Sequence, residues 1–354
     1  MTELLNISGR SMDARSLPKF TWNADLIYFD GPMLSLFKQD DGQDVLFAWL
    51  DCDERKNRWC IVPIQRESLR MYLSQEITLR SVFLEAPNTL VFHTGKDAKR
   101  RNFLLLNSLP EDYLPASDSY LVDQISTSAA KRLATETTQD VELGLNGELY
   151  LEDMEGIPKL YQQLYSFHYG MEHLDRPAVR DSVQHLMTRW RGGIGAVNLF
   201  SGLKNVTPSI HRARLLRLHY ASPGQIKLNL LPTLAAKIRI AMSHILIWET
   251  FDESEELYRD IYRYFKDHQI GGFDDERAVI EMELPQHQVD DLMFFVNKFF
   301  RIIGWGSYRD NFVTLEMTAI SQLRMLLAYY RRLRKLRDYV VSGKLSLEGQ
   351  FSTD

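Results

Sequence analysis

The chain has 354 residues, 45% hydrophobic and 25% charged, with a formal net charge of −5 at pH 7. That length exceeds the usual single core and makes two domains the default, and the composition excludes a disordered chain. So mild a charge neither demands nor excludes nucleic acid, and its distribution along the chain carries more information than its total. Two cysteines, Cys52 and Cys60, are too few for a disulfide framework and fit a reducing cytoplasm, the expected location. Residues 1–17 carry Glu3, Arg10, Asp13 and Arg15 and lack the apolar run of a signal peptide. The most apolar stretches, 233–248 and 292–305, are interrupted by charge and fall short of the ~20 residues that span a bilayer, so no membrane insertion is expected.

After a loose lead-in over residues 1–16, apolar runs at 26–29, 33–38, 45–50 and 58–64 alternate with turn clusters such as Asp30-Gly31-Pro32 and Asp40-Asp41-Gly42. That spacing predicts an antiparallel meander. Residues 69–84 switch to helical spacing and read as two short helices divided near Ser74–Glu76. Strands return at 89–93 and 102–106. Together, residues 17–117 make a small antiparallel α+β domain. The run Asp25-Leu26-Ile27-Tyr28-Phe29-Asp30-Gly31-Pro32-Met33-Leu34-Ser35-Leu36-Phe37, followed by Asn57-Arg58-Trp59, resembles an uncharacterised bacterial N-terminal domain family of unknown function. The resemblance covers roughly the first third of the chain and rests on turn residues and strand apolars. It implies a setting near bacterial conflict or defence genes and assigns chemistry to no residue.

Residues 118–140, rich in Ser, Thr, Ala and Gln, read as a linker or mobile segment, and 141–345 as a second, helix-dominated α+β domain. Asn146-Gly147 between apolar runs 141–145 and 148–151 predicts a hairpin. Helices are expected over 157–169, from Asp175 to before Gly192-Gly193, and near 196–203. The centre of the domain is a strand–turn–strand–helix unit. Leu216, Leu218 and Tyr220 form an expected buried face, Ala221-Ser222-Pro223-Gly224 turns the chain with Gly224 at positive φ, and Ile226, Leu228 and Leu230 return it. Pro232 then opens a helix running to Trp248, and Asp252, Glu253, Glu255 and Glu256 load the first turns of the next. A third strand at 278–284 and helices at 289–303 and 312–341 complete the reading.

No stretch carries a decisive chemical motif. His168 and His173, five residues apart, sit about 140° apart on a helix and so do not share a ligand face. Arg191-Gly192-Gly193-Ile194-Gly195-Ala196 follows a helix and lacks the lysine of a phosphate loop, so it reads as a helix terminator. Asp51-Cys52-Asp53-Glu54 falls between two strands, where aspartates serve turn geometry. No metal site and no cofactor is expected.

The last helix is the sharpest feature. Phe312, Ala319, Leu323, Leu326, Tyr330, Leu333 and Val340 approximate a three–four repeat, and Leu323, Leu326, Tyr330 and Leu333 are the expected oligomer seam. Arg324, Arg331 and Lys335, joined by Arg332 and Arg334, form a basic face suited to phosphate or an acidic partner; it could equally be solvated or pair with the acidic 249–256 segment. The function expected first is a non-enzymatic binding or regulatory component, in bacterial antiphage defence, acting through a protein partner or self-association. Nucleic-acid binding through the basic helix is the alternative. An enzyme whose residues converge only in three dimensions is the third.

Overall fold

The computed structural model describes residues 7–53, 56–95, 103–121, 137–189, 197–270, 284–349 and 351. The chain is α+β and divides into two compact units. Residues 1–136 together with Pro208–Ile210 make the first, and 137–207 with 211–354 the second.

The first unit is a seven-stranded antiparallel sheet. Its strands are β1 (Arg10–Met12), β2 (Phe20–Tyr28), β3 (Pro32–Gln39), β4 (Asp44–Cys52), β5 (Lys56–Ile64), β6 (Thr89–Gly95) and β7 (Phe103–Leu106), in the order β1-β7-β6-β5-β4-β3-β2. The meander is therefore as the turn signals predict. The expected loose lead-in instead supplies β1, paired with β7 from Arg10 opposite Leu105 to Met12 opposite Phe103. Between β5 and β6 lie α1 (Arg66–Leu73) and α2 (Leu79–Glu85). They part where expected: Gln75 takes φ 62°, and Thr78 caps α2 by accepting from the Ser81 amide at 3.1 Å. One set of strand residues (Leu26, Leu36, Leu46, Cys60, Val62) is buried in a core with Tyr72, Leu73 and Phe83, and Ile210 belongs to that core at 1% exposure. The alternate set makes a second, aromatic cluster, with Phe37 tilted against Phe47 at 4.1 Å and Phe92 stacked 5.2 Å from Phe103.

Both ends of the expected linker, residues 118–140, carry contacts or structure of their own. The Leu79 amide donates to the Ser119 carbonyl at 2.8 Å, and the Gln75 side-chain amide donates to the carbonyl of buried Leu121 at 2.9 Å. At the other end β8 (Gln139–Leu145) is already a strand. Residues 122–136 lie outside the described residues.

Among its described residues the second unit sets a four-stranded antiparallel sheet against helices. After β8 come α3 (Leu151–Glu172), α4 (Pro177–Arg189), α5 (Val197–Val206), β9 (Arg214–His219), β10 (Gly224–Leu230), α6 (Pro232–Leu246), α7 (Trp248–Asp267), α8 (Gln286–Ile302), α9 (Arg309–Thr314), α10 (Ala319–Val341) and β11 (Leu345–Ser346). The sheet order is β11-β8-β10-β9. Asn146-Gly147 makes no hairpin: the Asn146 amide donates to the Lys344 carbonyl, β8 pairs with β10 and β11, and the chain enters α3 at once. Asp153 accepts from the Tyr150 amide at 2.9 Å and so starts that helix six residues before the expected 157. The expected helix at 312–341 is two. Glu316 takes φ 51° and Thr318 caps α10, which leaves Phe312 on α9. The expected glycine terminator at 191–196 and all but the last residue of the expected strand at 278–284 lie outside the described residues.

The strand–turn–strand–helix unit forms, with two corrections. Gly224 is not in the left-handed region. It is required because a β-carbon there would stand 2.5 Å from the His219 carbonyl oxygen and 2.7 Å from that of Ala221, through a turn with a cis Ser222–Pro223 bond. The expected buried face of β9 is open. Leu216 is 41% exposed, Leu218 48% and Tyr220 57%, because β9 is the outermost strand of its sheet.

Candidate interaction surface

The basic helix α10 turns Arg324, Arg332 and Arg337 away from solvent. Every residue from Gln322 to Tyr330 is buried, because α3, α6 and α8 pack around it. Arg324 is 9% exposed, and burial lowers its pKa. Arg332, 7% exposed, lies 3.6 Å over the Phe200 ring and donates to the Gln163 side-chain carbonyl at 2.7 Å and to the Ala328 carbonyl at 2.9 Å. Burial, and secondarily Arg331, lower its pKa to about 10. Arg331 and Arg334 are half-buried. Arg331 reaches the Tyr258 hydroxyl, and Arg334 pairs with Glu255 at 3.2 Å, which also accepts from Tyr330 at 2.7 Å. Lys335 is exposed. The basic run is thus largely an internal set of stacked or paired guanidiniums. The expected oligomer seam is internal too: Leu323, Leu326, Tyr330 and Leu333 are each at 0% exposure inside the core of their own unit.

Three other clusters gather groups of chemical interest. In the first unit Asp51, Arg58 and His93 face one another across β4, β5 and β6. The Tyr113 hydroxyl donates to Asp51 at 2.5 Å and accepts from Arg58, and Arg58 stands 3.4 Å from Asp51. Burial first, then Arg58 and Lys56, lower the pKa of His93. Asp53 accepts from the Lys56 amide at 2.7 Å and closes the turn, as a turn aspartate should. The charges of this row are turned toward each other.

In the second unit His168, at 0% exposure, lies between two hydroxyls, Nδ1 2.9 Å from Tyr308 and Nε2 2.9 Å from Tyr329. His173 instead stacks on Tyr169. The two histidines therefore serve separate networks. Among the described residues no three His, Cys, Asp or Glu side chains stand close enough to hold a metal ion. A depression beside β5 and α2, lined by Pro63, Gln65, Ser68, Glu85 and Pro87, offers one carboxylate and no histidine, lysine or arginine.

The third cluster is the outer part of the second sheet. Leu215 and Leu218 lie opposite Leu228 and Ile226, so they continue the core row of β10, yet they are 59% and 48% exposed. Lys227 and Arg217 face each other on the other side, as do Gln225 and His219. Lys227 reaches the β8 carboxylates of Asp140 (3.1 Å) and Glu142 (3.9 Å), and Arg214 donates to Asn229 at 2.6 Å, itself bonded to Asp140. The carboxylates of this face are engaged one strand inward. Arg217, exposed on the edge, makes no hydrogen bond or ion pair among the described residues. A register shift between Lys227 and Leu228 leaves Leu216 without an opposite residue, a bulge on the edge strand. The sequence signal for this surface was the Leu215-Leu216 doublet, which breaks strict alternation and places leucine on both parities of one strand.

Comparisons of the chain with family models, with curated proteins and with solved structures find no match. Among the described residues no helix is long and apolar enough to cross a membrane.

Proposed function

We propose that this protein is a non-enzymatic binding component that acts through protein–protein contacts by strand addition at β9. One observation carries the reading: three leucines and a tyrosine, each more than 40% exposed, lie on and just beyond a strand that has no neighbour on its outer side among the described residues. An edge strand presents unpaired backbone N–H and C=O groups, and apolar side chains beside them are the usual basis of strand-addition recognition. Scattered apolar residues need no explanation, but a contiguous set on one edge does. The resemblance of residues 25–37 supports placing this component in bacterial antiphage defence, and its two free thiols fit work in the cytoplasm. Nucleic-acid binding through α10 is the weaker reading, since only accessible cations neutralise phosphates and burial of Arg324 and Arg332 leaves Arg331, Arg334 and Lys335 for that role.

The test is site-specific photocrosslinking in the native host. A benzophenone amino acid at Leu218 should give one or a few discrete protein adducts that are missing when it stands at exposed Lys159 on α3. The same pattern of adducts at both positions, or none at Leu218, overturns the reading.

A further inference from the structure

The strand-addition reading leaves the chemistry of the partner open, and the charges on the sheet decide it. Along the polar face, a row runs from Glu142 on β8 to Lys227 on β10 to Arg217 on β9. Opposite charges on facing strands stabilise a sheet, and like charges directly opposite destabilise it. Lys227 has its carboxylates on β8, whereas Arg217 faces that lysine and has no carboxylate on its outer side among the described residues. The next position outward in the row would be filled best by an acidic residue. Two residues along, exposed His219 offers a second site of the same kind, beside Gln225. On the opposite face Leu215 and Leu218 extend the row of Leu228 and Ile226.

We propose that β9 takes an extended segment of a partner protein in which acidic and apolar residues alternate, its carboxylates beside Arg217 and His219 and its apolar side chains beside Leu215 and Leu218. A second copy of this chain fits worse. Antiparallel pairing of two β9 strands that sets Leu215 against Leu218 also sets Arg214 against His219, and it gathers both Arg217 side chains on one face of the joined sheet.

The experiment uses the full chain and two fluorescein-labelled peptides, one alternating glutamate with valine and one alternating lysine with valine. Fluorescence polarisation at low salt should show the glutamate peptide binding at least about tenfold tighter, a difference of about 1.4 kcal/mol. Added salt should narrow that preference. Arg217→Glu should remove or invert the preference, and Arg217→Gln should weaken it without inverting it. Both changes are at an exposed position, and circular dichroism checks that the fold persists. Amide exchange in β9 should slow when the glutamate peptide is bound. Equal binding of the two peptides, no binding of either, a preference untouched by Arg217→Glu, or binding without protection of β9 overturns the proposal. So does a sedimenting dimer that β9 substitutions dissociate, which would make the occupant a second copy. The proposal rests on the strand-addition reading, but the two fail differently. Discrete adducts at Leu218 with no glutamate preference would sink the partner chemistry alone, whereas a benzophenone at Leu218 that crosslinks neither a cellular protein nor the bound peptide would sink both.

Discussion

His168 illustrates what a buried polar side chain does in this molecule. Desolvation, and secondarily Lys237, lower its pKa to about 3, so the imidazole is neutral in the fold and has one donor and one acceptor nitrogen. Two tyrosine hydroxyls satisfy both nitrogens. Burial first, and then the neighbouring Glu172, raise the pKa of Tyr308, and Glu172 pairs with Lys237 at 3.0 Å. A fully satisfied network of this kind specifies one packing of the core, since an unpaired imidazole there would cost the full desolvation of a polar group. The folded pKa lies below the unfolded value, so the stabilisation is fully present above the unfolded pKa of about 6.5 and is lost as pH falls from there toward the folded value. We expect denaturant-derived stability to fall with decreasing pH, with this group contributing up to about 1.4 kcal/mol per pH unit. His168→Gln should be less stable near neutrality and should show a shallower fall between about pH 6.5 and about pH 4. Parallel curves for the two proteins would mean that His168 is charged or exposed in the fold.

At the scale of the element, α10 shows how a helix with a basic run becomes a core helix. Arginine buries a long apolar stem and a flat guanidinium that stacks on aromatic faces, which lysine does poorly. Arg332 uses Phe200 in this way, and Arg337 lies 3.6 Å over Phe251 while donating to the Ile245 carbonyl at 2.7 Å. The leucines between them have no surface left for a second chain. Leu326→Ala or Leu333→Ala should therefore destabilise the second unit by about 2–5 kcal/mol, the range for a deleted core leucine. The sedimentation mass of the folded protein should stay that of the unmodified chain. A change of mass at unchanged stability would return these residues to an interface. β9 shows the converse: its leucines fit a buried strand, yet among the described residues no strand lies outside them.

At the scale of the molecule, the division into units is not a single cut in the sequence. Pro208–Ile210, more than 70 residues after the first unit's main segment ends at Glu136, belongs to that unit. Ile210 is 1% exposed in a core otherwise formed by residues before Glu136. Ile210→Ala in the full chain should cost the first unit about 2–5 kcal/mol. Hydrogen exchange should read this as lost protection in β4 and β5 with protection kept in β8 and β10. A fragment of residues 1–136, which lacks Ile210, should unfold at lower denaturant than the same sheet in the full chain. Equal midpoints, with β4 and β5 protection unaffected by the substitution, would show that residues 208–210 are dispensable to that core.

Some of this architecture was legible in the residues because it depends on near neighbours. The turn clusters at Asp30-Gly31 and Asp41-Gly42, the break between α1 and α2 near Ser74–Glu76, and the Pro232 start of α6 are all local backbone preferences, and each acts within a few residues. The three–four repeat in α10 was legible as a pattern too, and the alternation of β9 only in part, since the bulge at Leu216 puts Leu215 and not Leu216 on the face of Leu218. A pattern states at most which residues share a face. What covers that face is set by elements distant in sequence. Gln163, Phe200 and Glu255 come from α3, α5 and α7, and they turned the basic run inward. β9 lies at the end of the order β11-β8-β10-β9, and that place in the sheet turned its leucines outward. Periodicity is a property of one segment, whereas burial belongs to the packed assembly, so helix and strand were decided locally and inside and outside only by tertiary structure.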